Sequence, residues 1–206
     1  MKSAAVRRTL GVMVGMVLVA TPALVMTAPA ANASVKSQCK GQDKVLIKRV
    51  ERVSQKFVAT HVEAITLAAG SAYSQSTTLE HSRTLKASTD ITSEVGGSAN
   101  WGFASINAKV SISVAAEGAT TDASSVTKTF SISEKPRARR FALFTGKYQV
   151  KGQWHYLSCS RAPGKGIEKF GPIQTFGGSD TGTVLCPRSR YQTSNYKYQV
   201  ALQAGC

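Results

Sequence analysis

From Ile106 to Ala116 every second residue is apolar: Ile106, Ala108, Val110, Ile112, Val114 and Ala116, with Asn107, Lys109, Ser111 and Ser113 in positions between. A period of two sorts side chains onto opposite faces of an extended chain, so this spacing predicts a half-buried β-strand. Residues 117–122 carry turn chemistry in Gly118 and Asp122, after which the period resumes with Val126, Phe130 and Ile132 against Thr127, Thr129, Ser131 and Ser133. Lys128 is the one charge on the apolar side of that second run. The two runs together predict a hairpin with arms of roughly ten residues, marked by Ile106, Val110, Ile112, Val114, Val126, Phe130 and Ile132.

The flanking sequence extends the β reading. Ala142, Phe144, Gly146, Tyr148, Val150, Gly152, Trp154 and Tyr156 hold even positions without a break and predict one long strand. Residues 44–58 place Leu46, Val50, Val53 and Phe57 at helical spacing, yet the run is rich in valine and is read as strand, with a short helix across one end of the sheet as the competing assignment. Val62 to Ala69 is strand-like and stops at Gly70-Ser71, and Leu85, Ala87, Thr89, Ile91, Ser93 and Val95 take one side of another strand ending at Gly96-Gly97. Trp101 and Phe103 are odd-numbered while the apolar set from Ile106 is even, which predicts a β-bulge near Ala104 or Ser105. The glycine-rich stretch 160–182 is read as loop. Tyr196, Tyr198, Val200 and Leu202 are read as a last strand paired with residues 183–186 across a basic turn at Arg188 and Arg190. With no repeat and no linker, the expected fold is all-β: a single domain of long amphipathic antiparallel strands, an elongated sheet or a sandwich, held by disulfides.

The first 33 residues have the composition of an export signal. Lys2, Arg7 and Arg8 precede an apolar run from Leu10 to Ala20, and Ala31-Asn32-Ala33 matches the small-residue cleavage pattern. The expected division is a signal peptide over residues 1–33 and one secreted β-domain over 34–206. Cys39, Cys159, Cys186 and Cys206 all follow the leader, and an even count in an exported chain predicts two disulfides. Of the three pairings, Cys159 with Cys186 and Cys39 with Cys206 is favoured, the first closing a local loop and the second tying both ends of the domain to one sheet. Their spacing does not suit a structural zinc site.

The formal net charge is +15, of which three positive charges leave with the leader. A basic exported protein meets acidic partner proteins, anionic cell-surface polymers or membrane headgroups, and nucleic acid is not expected among its partners. The candidate interaction residues are Lys36, Lys40 and Lys44 in the basic N-terminal stretch of the domain and the cluster Arg137, Arg139 and Arg140.

Catalytic chemistry is hard to assemble from this chain. His61, His81 and His155 are the available bases, none stands near a nucleophile-elbow sequence, and each is read as an exposed or strand-surface residue. Asp180-Thr181-Gly182 has the aspartic-protease tripeptide in a single copy, whereas that chemistry needs two carboxylates sharing a proton, so it is read as a turn. Gly164-Lys165-Gly166 lacks the spacing of a phosphate loop, and Tyr148, Trp154 and Tyr156 are assigned to the core in preference to a sugar platform. No cofactor and no metal are called for, and no enzyme is expected, a secreted hydrolase standing as the third reading.

Two resemblances follow from these runs. The alternating serine- and threonine-rich arms Ile106–Ala116 and Val126–Ile132, within residues 85–156, are similar to the insertion hairpins of aerolysin-type pore-forming toxins; that resemblance implies a membrane-inserting segment, with Lys128 on the lipid side at a cost of roughly 2 to 4 kcal/mol. The chain as a whole resembles the small secreted β-rich proteins of Gram-positive bacteria, among them the adaptor subunit of umbrella-type toxin particles. This second resemblance implies a non-enzymatic subunit that joins other secreted proteins, using strand edges or its basic N-terminal stretch.

Overall fold

Three long strands organise the protein in the computed structural model, which describes residues 38–39, 44–162 and 165–206. The leader, Lys36 and Lys40 lie outside the described residues. Strand β1 (Val45–Leu67), β5 (Arg139–Cys159) and β6 (Gly166–Leu185) form an antiparallel sheet in the order β1-β5-β6-β3, with the two-residue β3 (Ser88–Thr89) beside β6. Strands β2 (Tyr73–Glu80) and β4 (Ser125–Ile132) make a separate antiparallel pair. The remaining elements are short: α1 (Ile91–Val95), α2 (Asn100–Asn107) and α3 (Tyr196–Gln203). The all-β expectation holds, and so does the long strand through residues 142–156. The two runs read at 44–58 and 62–69 are one strand, β1, bent by register shifts at Glu51/Ser54 and Ala59/His61.

The even-numbered face of β5 carries two cores in succession. Toward its start, Ala142 and Phe144 pack with Phe57, Val184 and the buried Val200 and Ala201 of α3, and Tyr196 sets its ring edge-on against Phe57 and Phe144. Farther along, Val150 and Trp154 pack with Ile91, Phe103 and Ile106 from the segment between β2 and β4. On the odd face, Phe141 and Leu143 are covered by Leu79, Phe130 and Ile132 of the β2–β4 pair.

The predicted hairpin does not form. Val126, Phe130 and Ile132 do lie in a strand, β4, but its partner is β2, with Tyr73 opposite Ile132 and Glu80 opposite Ser125. Ile106 is a buried residue of helix α2, Val110 and Ile112 follow in irregular chain, and Val114 makes an isolated bridge to Gly177 on the edge of β6. Phe103 and Ile106 are three apart and fall on one helical face toward the sheet, and Gly102, just before Phe103, leaves room for the side chains of Ile91 and Ile173. The slip of period near Ala104 therefore marks a helix and not a bulge. Residues 85–95, read as strand, yield only Ser88–Thr89 before α1 begins.

Two assignments near the C-terminus are also corrected. The glycine-rich stretch belongs mostly to β6, because its glycines give space to large neighbours: a Cβ at Gly171 would come within 2.5 Å of Trp154 Nε1, and one at Gly177 within 2.0 Å of the Ser113 carbonyl oxygen. Residues 196–203 form α3 and not a strand; the Asn195 side chain caps it by accepting from the Lys197 amide, and alternation at three tyrosine and valine positions yields to the burial of the adjacent pair Val200 and Ala201.

The disulfides join Cys39 to Cys159 and Cys186 to Cys206, with Cα atoms 5.2 and 5.4 Å apart. The pairing expected from sequence is overturned by the length of β6. Cys159 ends β5 beside the start of β1, where its amide donates to the Lys44 carbonyl, whereas Cys186 follows the other end of a 20-residue strand, about 65 Å away at the usual rise.

Gly171→Ala is expected to lower stability by about 1–3 kcal/mol through overpacking against Trp154, seen as a lower urea midpoint at unchanged slope. Gly97→Ala, where nothing lies within 4 Å, is expected to leave the midpoint nearly unchanged.

Candidate functional site

The far half of the long sheet, where β1 starts and β5 turns into β6, has an open edge and an uncovered face. β1 is an edge strand, and among the described residues no strand pairs with its outer side between Val45 and Ala59. The edge closes at Thr60, whose carbonyl accepts from the amides of Ser82 and Arg83, and at His61, which bridges to His81. An exposed strand edge is a template for pairing with another chain. Here it is broken by the bulge at Glu51/Ser54, where Arg52 takes a φ of +51°, and it carries the exposed cations Arg49, Arg52 and Lys56.

Beside that edge lies the odd-numbered face of β5 beyond the β2–β4 cover. Residues opposite one another in register share a face, so Lys56 stands with Gln149, Ser54 with Lys151, and Glu51 with Gln153. The next rank is a charged cluster. The Arg49 guanidinium donates to Glu51, the Nδ1 of His155 is 3.5 Å from the same carboxylate, and its Nε2 is 3.0 Å from Glu168 Oε1. The imidazole stacks on Phe170 with ring centroids 4.3 Å apart. It can donate to both carboxylates only when both nitrogens carry hydrogen. The Glu168 side chain is 6% exposed, and its Oε2 has no hydrogen-bond partner among the described residues. The hydrogen bond from Arg49, outweighing a desolvation effect of opposite sign, holds the Glu51 carboxyl below its ordinary value.

Of the four exposed large hydrophobic side chains among the described residues, three, Val45, Ile167 and Phe170, sit at this same end of the sheet. Val45 and Ile167 both lie opposite Ser158 and so share a face, while Phe170 lies on the other with His155. Below them, Cys39, Leu46, Ile47, Leu157 and Cys159 form a small buried cluster that fixes the tip. Exposed apolar groups with a charged rim on a rigid support are the usual makings of a protein interface.

The basic residues singled out from sequence do not make one patch. Lys44 is exposed at this tip, whereas Arg137, Arg139 and Arg140 stand at the opposite end of β5, and Arg140 donates to the Ala204 carbonyl beside the C-terminal disulfide. Nor do the histidines converge: the His61 and His81 rings are 5.2 Å apart edge to face, and His155 lies in the other half of the sheet. His61 and His155 are buried, at 3% and 8% exposure, contrary to the surface placement expected. Asp180-Thr181-Gly182 is mid-strand in β6, not a turn, with Asp180 opposite Gly146. Glu168 and Phe170 were missed because they fall in the stretch read as loop, and the order Ile167, Glu168, Lys169, Phe170 shows no two-residue alternation to mark a strand. Comparison of the chain with family models, with curated proteins and with solved structures finds no match. The two disulfides belong to an oxidising compartment, and among the described residues no helix is long and apolar enough to cross a membrane.

Arg49→Met is expected to raise the Glu51 titration midpoint toward 4.5, followed by carboxyl NMR. Because the folded-state value is lowered, the Glu51 interactions stabilise the protein above pH 4.5 and their contribution is lost as pH falls through the folded value. The stability difference between wild type and Arg49→Met should shrink over that descent.

Proposed function

We propose that this protein is a secreted, non-enzymatic binding subunit that docks another extracellular protein along the outer edge of β1 and the adjoining tip of the sheet. The observation that carries the reading is the edge from Val45 to Ala59, unpaired among the described residues and flanked by the exposed Val45, Ile167 and Phe170. Main-chain pairing along such an edge supplies affinity, and the side chains beside it supply selectivity. The cations Arg52 and Lys56 favour a partner whose docking strand is acidic, in keeping with the net charge of +15. A role as an adaptor in an extracellular toxin assembly is the form of this reading that fits a small subunit with a docking end and an opposite end closed by the Cys186–Cys206 disulfide. The insertion-hairpin reading depended on pairing residues 106–116 with 126–132. With that pairing absent, nothing in this fold favours insertion over docking.

The test is purification from culture supernatant under mild conditions, followed by mass spectrometry of whatever travels with the chain. The wild-type protein should migrate in a complex of fixed stoichiometry. Arg52→Glu with Lys56→Glu, two exposed positions, should weaken that complex at least about tenfold while the free protein stays folded. Migration of the wild-type chain only as a free monomer would overturn the proposal.

A further inference from the structure

A second site lies farther along the sheet, where the strands are irregular at one level. β1 shifts register at Ala59/His61, the β5–β6 pair shifts at Gly146/Tyr148, and Gly178 takes a φ of +56°. Bulges at matching positions bend a sheet and re-aim its side chains. Under this bend, between the sheet and the β2–β4 pair, is a cavity of about 370 Å³, within the range of small-ligand sites.

Its lining is unusual for this protein. Of the six buried polar residues among those described, four line this one cavity: Thr60, His61, Thr121 and Thr145. Burying polar groups is costly, so their concentration at one place calls for a use. They are also held in place. The His61 Nε2 donates to the Ala123 carbonyl at 2.8 Å, its Nδ1 is 3.0 Å from Thr60 Oγ1, and the Thr60 hydroxyl donates to the Thr145 carbonyl. Thr145 donates to the Asp180 carbonyl and accepts from Thr181.

Two lysines line the same cavity, Lys128 and Lys147. Lys128 comes from the apolar side of β4, between Val126 and Phe130, where the pattern of the strand asks for a hydrophobic residue. Lys147 follows Leu143 and Thr145 on the odd face of β5, with its ammonium 5.9 Å from the centre of the Phe176 ring. Neither takes part in an ion pair among the described residues. Asp122 also lines the space, and its carboxylate, which already accepts from the Thr120 and Thr84 hydroxyls, has lone pairs left to accept from a ligand hydroxyl.

We infer that this cavity binds a small polyhydroxylated anion, a phosphorylated or carboxylated sugar or polyol, whose charged group meets Lys128 and Lys147 and whose hydroxyls meet the threonine hydroxyls, held in place by His61, and Asp122. The site does not rest on the docking edge and stands or falls separately from it.

The experiment is an amide NMR titration of the disulfide-bonded domain with glycerol 1-phosphate, with glucuronate and, as neutral counterparts, with glycerol and glucose. Saturable shifts are expected at Thr60, Thr121 and Thr145 with one or both anions and not with the neutral compounds. A preference for the phosphate ester or for the carboxylate identifies which source of the anion the site takes. Lys128→Met and Lys147→Met should each weaken binding about tenfold, while Lys109→Met, away from the cavity, should not. The inference is overturned by the absence of saturable shifts, by shifts of equal size with glucose or glycerol, or by a folded double variant that binds as wild type does.

Discussion

Strand β5 is hydrogen-bonded along both edges, to β1 from Arg139 to Ser158 and to β6 from Phe141 to Cys159, and every other element is placed by this. A strand of 21 residues spans about 70 Å at the usual rise, more than any one element of this chain can cover. Its two faces therefore divide into four half-faces. Helix α3 covers the near half of the even face, and the 81–124 segment covers the far half. The β2–β4 pair covers the near half of the odd face, and among the described residues the far half, from Gln149 to Gln153, has only the small Cys39 cluster at its tip. The candidate docking face is what remains when the chain runs out of covering elements.

How much of this was legible depended on whether local pattern and tertiary demand agreed. They agreed in β5, where eight even positions in a row met cores on one face, and the strand was read correctly. They disagreed at Ile106–Ala116. The alternation there is real, but the sheet it was expected to join is already complete, and Phe103 and Ile106 reach Trp154 and Val150 better from a helix. Sequence could not show this, because the competing surface is formed by residues almost 50 positions away. The glycine-rich stretch failed for the opposite reason: glycine is a loop signal locally, yet Gly171 and Gly177 are needed within the strand because Trp154 and the backbone of Ser113 press on them. In α3, the Asn195 cap was a legible start signal that the tyrosine alternation obscured.

The same comparison clarifies the candidate sites. An exposed strand edge on a basic protein is the expected interaction surface, and the clusters expected to mark it, Lys44 and Arg137 to Arg140, are separated by the length of β5. Lys128 shows the converse. Its misfit with the apolar side of its strand was visible at once and read as a cost to membrane insertion. In the folded chain the misfit disappears, because the lysine faces a polar cavity floored by Thr60, His61 and Thr145 instead of lipid or core.

Arg52 bears on whether the β1 edge is merely protected or also used. A bulge alone would keep the edge from pairing indiscriminately, and glycine forms such bulges without strain. Arginine at a φ of +51° instead incurs roughly 1 kcal/mol of backbone strain. That cost adds a cation to an edge that already carries Arg49 and Lys56, and it divides the edge into two short runs, either of which can accept only a short strand in one register. A sequence under pressure only to avoid aggregation has the cheaper residue available. Under the proposed docking role, the strained arginine suits an edge that refuses most strands and admits an acidic one.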